Sequence, residues 1–127
     1  MKVLALDYGS ARTGVAVSDP TGTLARPLCV VERVGTEPGL ARLAELVRSE
    51  DPERIVVGLP LTLRGERGAQ AQETERFLEA LRAVVSVPVE SFDERFTTTL
   101  AGAHGDAPED ARAAAHLLSS YLEWARR

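Results

Sequence analysis

The chain has 127 residues, 44% hydrophobic and 27% charged, with a formal net charge of −4. That balance fits one soluble globular domain over residues 1–127 with a core of its own, and it excludes the overall positive field of a typical non-specific nucleic-acid binder. No apolar run approaches the ~20 residues that span a bilayer, so no membrane role is expected.

Met1-Lys2 leads directly into an apolar strand instead of the basic and apolar regions of a signal peptide, so a cytoplasmic protein is expected. The sole cysteine, Cys29, lies in Leu28-Cys29-Val30-Val31 and reads as a small core hydrophobe with no disulfide or redox role. Met1 to Leu6 is a nearly continuous apolar run, suited to a strand covered on both faces. It ends in Asp7, where the backbone leaves the core. Tyr8 to Gly14 reads as a tight reversal into a second strand, Val15 to Ser18, which makes a hairpin with an acid at its root. Gly9 and Gly14 permit positive φ or close approach of another backbone. Arg12 and Thr13 place a guanidinium fork and a hydroxyl beside the acid, a grouping suited to a metal and a phosphodiester. The same D-x-G pattern also suits a plain turn, so the rest of the chain must decide.

Pro20 to Thr23 is a turn, and Leu24 to Val34 is extended, with Pro27 suiting an edge strand because it cannot donate to a ladder. Gly35-Thr36-Glu37-Pro38 starts a helix that runs to about Ser49, with Leu40, Leu43, Ala44, Leu46 and Val47 at helical spacing. Asp51-Pro52 ends it. Arg54 to Gly58 is a short apolar strand, followed by a loop at Leu59-Pro60-Leu61. A polar connection from Thr62 to Ala69 carries Arg64 and Arg67 into a helix with Ala71, Phe77, Leu78, Leu81 and Val85 apolar. Val87 to Phe92 is a further strand, ending at Asp93-Glu94-Arg95. Helices between strands imply parallel pairing by right-handed crossover, which gathers the loops after Leu6, Gly58 and Phe92 at one sheet edge.

The last helix has Pro108 in its first turn. Asp110, Ala113, Ala114, Leu117, Leu118 and Tyr121 then fall on one face, which turns the Asp110 carboxylate toward the sheet. The alternative is that Asp110 only favours the helix N-terminus through the macrodipole. Acids converging from Asp7, the Asp93-Glu94 pair and Asp110 would repel one another unless a cation sat between them, and Mg²⁺ or Mn²⁺ prefers such oxygens. Two such ions can activate water and stabilise the leaving oxygen of a phosphodiester, which points to metal-dependent nucleic-acid hydrolysis.

Asp7-Tyr8-Gly9 with Arg12 to Asp19, Val57 to Leu61, Asp93-Glu94-Arg95-Phe96-Thr97-Thr98, and the stripe from Asp110 to Leu122 resemble the four signature blocks of the YqgF family, also called RuvX. The resemblance covers nearly the whole chain. It implies a ribonuclease H-like α/β fold, with a five-stranded mixed sheet whose first three strands are antiparallel and later ones parallel. It further implies a nuclease maturing the 5′ end of pre-16S rRNA, with a Holliday junction resolvase as the alternative. Position by position, Asp7, Glu94 and Asp110 match the family's acidic triad, and Glu94 rather than Asp93 is the implied ligand. Gly9, Arg12, Thr13, Arg64, Arg67, Arg95 and Thr98 are the expected substrate contacts. The connection from Leu100 to Glu109 is short and lacks Lys and Arg, unlike the lysine-rich one of many relatives, so a partner subunit in a homodimer could help hold phosphates. His104, His116 and Trp124 are expected to stand outside the chemistry. Two other classes compete: an ATP-binding domain of the actin and sugar-kinase type, which needs two such units, and a non-catalytic binding module, which would not need all three acids.

Overall fold

The chain runs β1 (Val3–Asp7), β2 (Arg12–Ser18), β3 (Ala25–Glu32), α1 (Glu37–Glu50), β4 (Arg54–Leu59), α2 (Ala69–Val84), β5 (Val89–Asp93) and α3 (Glu109–Ala125). The structure is a computed structural model and describes residues 1–61, 64–94 and 107–126. The strands form one sheet in the order β3-β2-β1-β4-β5. The β1–β2 and β2–β3 pairs are antiparallel, whereas β1–β4 and β4–β5 are parallel. This is the mixed sheet expected from the sequence.

Alternation along β1 decides which side chains meet which helices. Leu4 and Leu6 join the core under α1 and α2 with Leu43, Val47, Phe77 and Leu81. Val3 and Ala5 join the core under α3 with Leu118, Tyr121 and Leu122. The same period of two turns Asp7 toward the α3 side. β4 divides likewise, with Ile55 and Val57 on one face and Val56 on the other. All of these β1 and β4 positions are fully buried, which is why the two strands read as continuous apolar runs.

Element ends differ from the sequence reading for local reasons. The reversal is only Tyr8 to Ala11, because Gly14 already pairs with Asp7 and β2 starts at Arg12. The third strand stops at Glu32, where Arg33 takes φ 50° and turns Val34 into the core. β5 begins at Val89, two residues later than expected. β3 is the edge strand that Pro27 suggested, and its register shifts beside Ala16, the kind of irregularity that a proline on an edge tolerates. Thr36 caps α1 by accepting from the Gly39 N–H at 3.2 Å. At the far end of the sheet Arg54 Nη1 donates to the Tyr121 hydroxyl at 3.0 Å, and that hydroxyl donates to Glu90, tying α3 to β4 and β5. No helix among the described residues is long and apolar enough to cross a membrane.

Candidate active site

β1 and β5 both end at the same edge as β4, because Leu6 pairs with Val57 and Leu59 pairs with Asp93. Asp7 closes β1 and Glu94 follows β5 by one residue. Their carboxyls meet in a hydrogen bond. Burial raises both above the usual carboxylate range, and Glu94 is pushed up to about 7 by burial and then by the charge of Asp7. The bond favours the protonated form of Glu94 and partly holds back the rise of Asp7.

Asp110 lies in the first turn of α3, and its charge also raises Asp7. Its carboxylate is engaged elsewhere: Arg12 Nε, at the start of β2, lies 3.2 Å from Asp110 Oδ2. Among the described residues, no group of three or more His, Cys, Asp or Glu side chains is arranged to hold a metal ion. The structure therefore joins Asp7 to Glu94 and leaves Asp110 beside them, bound to a guanidinium.

A glycine makes the approach of α3 feasible. A Cβ on Gly14 would stand 1.8 Å from the Asp110 carbonyl oxygen, so the bare backbone of β2 is what lets the start of α3 lie on the sheet. The buried face of α3 runs through Ala111, Ala114, Ala115, Leu117, Leu118, Ser120, Tyr121 and Leu122. That face is broader than the expected stripe and keeps its Ala114, Leu117, Leu118 and Tyr121, with Ala113 only half-buried and Asp110 at the margin of the contact instead of its centre. The marginal position is what leaves Asp110 within reach of Arg12.

The remaining expected contacts are distributed unevenly. Thr13 is fully buried, and its hydroxyl both accepts from the Gly9 N–H and donates to the Gly9 carbonyl at 3.3 Å. Its place is that of a brace for the reversal, closed off from a phosphate. Gly9 is needed by the same turn, since a Cβ there would stand 2.3 Å from the Arg12 carbonyl oxygen. Arg64 and Arg67 are both exposed ahead of α2, and Arg67 Nη2 lies 2.9 Å from Glu75. Arg95 and Thr98 lie outside the described residues, as do Thr97, His104 and most of the connection from Leu100 to Glu109. His116 is half-buried on α3. Cys29 is half-buried at the margin of the core, and burial raises its thiol. Trp124 packs against Phe92 and Tyr121, with ring centroids 5.8 and 6.0 Å away.

Sequence reasoning passed over Tyr8. Its ring stacks on Phe77 at 4.7 Å, and its hydroxyl donates to Glu73 Oε2 at 2.7 Å, which anchors the residue after Asp7 to α2. The hydroxyl's pKa is pushed up to about 12 by burial and by Glu73. Tyr8, Gly9 and Ser10 face Ala69, Gln70 and Glu73 across a cavity of about 290 Å³. A second cavity of about 500 Å³ lies by Arg12, Val30, Glu32 and the residues Pro108 to Asp110. Only the adjacency of Tyr8 to Asp7 hinted at the first of these.

Chemically, Asp7 and Glu94 offer a set of hard carboxylate oxygens at strand ends, and a divalent cation could take the place of the proton between them. The mixed sheet, its order and the acids at its carboxyl-end edge define a ribonuclease H-like fold. RuvC of Thermus thermophilus, solved in complex with a Holliday junction substrate, superposes with a TM-score of 0.70 over 99% of this chain and 95% of that one, at 22% identity. The fowlpox virus resolvase, solved with Holliday junction DNA, follows at 0.56 and 12% identity, with both chains covered in full. These likenesses establish the fold. A family model described as "RuvX: Holliday junction resolvase" matches residues 1–124, and the chain belongs to that nuclease family. Relatives named as candidate pre-16S rRNA nucleases include one from Rubrobacter xylanophilus, 47% identical over 96% of this chain and 92% of its own length. Another, from Chloroflexus aurantiacus, is 46% identical over 78% of this chain, and the match spans 65% of that relative's length.

Proposed function

We propose that this protein is a metal-dependent endonuclease that hydrolyses phosphodiesters, with pre-16S rRNA as substrate and its 5′ end as the product of processing. The observation that carries this reading is the hydrogen-bonded Asp7 and Glu94 pair at adjoining strand ends, with Asp110 held beside it. Asp7 and Glu94 would hold Mg²⁺ or Mn²⁺, with Asp110 joining from α3. When bound, the cations supply the positive charge that favours a nucleophilic water and stabilises the leaving oxygen.

The chain's own residues account for the rest. With a cation held there, Glu94 would be ionised and the strand ends would offer two carboxylates. Arg12 provides a fork for a phosphate oxygen next to Asp110, and Arg64 and Arg67 stand exposed where a strand could pass the start of α2. Localising these cations near the site answers the net charge of −4, because the strand is held by local forks and not by a general field. Such a substrate places the protein in the cytoplasm, and a homodimer would add a second set of arginines. The family's description supports branched DNA as a second reading. Purified protein incubated with a pre-16S rRNA fragment and with four-way DNA junctions, each with Mg²⁺ and with Mn²⁺, separates the two. Cleavage of the RNA alone is the expected result, cleavage of the junction alone selects the second reading, and cleavage of neither removes both.

A further inference from the structure

Gly58 is the penultimate residue of β4, flanked by the ends of β1 and β5. Its neighbour two positions back, Val56, faces α3, and the alternation puts the missing side chain of Gly58 on that same face. A Cβ built there would stand 2.6 Å from Glu94 Oε1, 3.0 Å from Glu94 Cγ and 3.1 Å from Leu117 Cδ2. The Glu94 side chain therefore lies across the bare backbone of β4, with Leu117 of α3 as a wall. Asp7, its hydrogen-bond partner, sits at the end of the neighbouring strand β1.

We infer that Gly58 is a positioning residue: the notch it leaves in β4 is the seat that lets Glu94 cross from β5 to Asp7, so that the two can share one cation. Gly58 itself touches no substrate. The strand needs no glycine for its own conformation, because Gly58 is not among the residues of positive φ and pairs regularly with Phe92. A methyl group at this position meets mainly the far end of a flexible side chain, which can swing away. The fold accordingly survives Gly58→Ala while Glu94 loses its seat. Leu117 has only to yield by a few tenths of an ångström.

This inference rests on the proposed role of Asp7 and Glu94, and its test separates the two. Mn²⁺ affinity of the intact protein is measured by calorimetry for the wild type, Gly58→Ala, Glu94→Ala and the double variant, with thermal melts alongside. Gly58→Ala is expected to weaken Mn²⁺ binding by about tenfold or more, the scale seen when a ligand loses its support. In the Glu94→Ala background there is no side chain left to evict, so the same substitution changes affinity less than about twofold. An unchanged affinity in Gly58→Ala, or an equal loss in both backgrounds, overturns the inference. A crystal structure of metal-free Gly58→Ala gives a reading that needs no cation: Glu94 displaced from Asp7 supports the notch, and Glu94 unmoved refutes it. If the wild type binds no Mn²⁺ while Glu94 is displaced in that crystal, the notch stands and the metal-dependent function falls.

Discussion

Arg12 Nε lies 3.2 Å from Asp110 Oδ2, an ion pair that joins the first residue of β2 to the first turn of α3. With side chains 66% and 35% exposed, the pair contributes little stability, ~0.2–1 kcal/mol at most. Its consequence under the proposed function is competition, because a cation at Asp7 and Glu94 would have to share Asp110 with the guanidinium. Arg12→Ala is expected to tighten Mn²⁺ binding by up to about fivefold, the factor such a pair corresponds to. The same variant raises KM for RNA, since a phosphate fork is lost. Calorimetry and steady-state kinetics read the two effects separately, and a Mn²⁺ affinity identical to wild type would show that Asp110 is not shared.

The raised carboxyls give stability a definite sign with pH. Glu94 moves from 4.5 to about 7, and Asp7 moves upward as well, so the folded state prefers their neutral forms. Their contribution is complete below the unfolded-state value and is lost as pH rises through the folded-state value. In the presence of a chelator the melting temperature should therefore fall between about pH 5 and pH 8 by more in the wild type than in Glu94→Gln. Saturating Mg²⁺ should reverse the difference. Parallel pH profiles for the two proteins would remove Glu94 from this role.

Asp7→Asn, Glu94→Gln and Asp110→Asn each nearly preserve volume and remove one charge. Loss of support for a ligand costs about 10- to 100-fold, so loss of the ligand itself should lower cleavage by at least about 100-fold. At pH 8 without metal, Asp7→Asn and Glu94→Gln should melt no lower than wild type, because each relieves a buried charge. Full activity in any of the three, in preparations free of host nucleases, contradicts the assignment.

Gly14→Ala tests the close approach of α3 to β2. The added methyl would stand 1.8 Å from the backbone oxygen of Asp110, which cannot swing aside as a side chain can. Overpacking of this kind costs typically about 1–3 kcal/mol, and the value here should fall at the upper end. Urea denaturation measures it, and a loss well below 1 kcal/mol would mean that α3 moves freely over the strand.

The order of strands and helices was legible because each element carries its own period. The apolar runs of β1 and β4 and the spaced leucines of α1 announce themselves within a few residues. Crossover rules then brought Asp7 and Glu94 to one edge, and the edge placement of β3 followed from Pro27. Boundaries were less legible where a single backbone angle decides them, as at Arg33, whose positive φ ends β3.

The sequence by itself determined the mixed sheet, the acids at its strand ends and the helix that brings a further acid. Those features follow from local hydrophobic period and chain connectivity. Only the tertiary structure decided how the acids are used: that Asp7 and Glu94 touch, that Arg12 holds Asp110, and that Thr13 is sealed in the turn. The reason is that Gly14 and Gly58 act through atoms they lack, and an absent side chain has meaning only once its neighbours across the sheet are known.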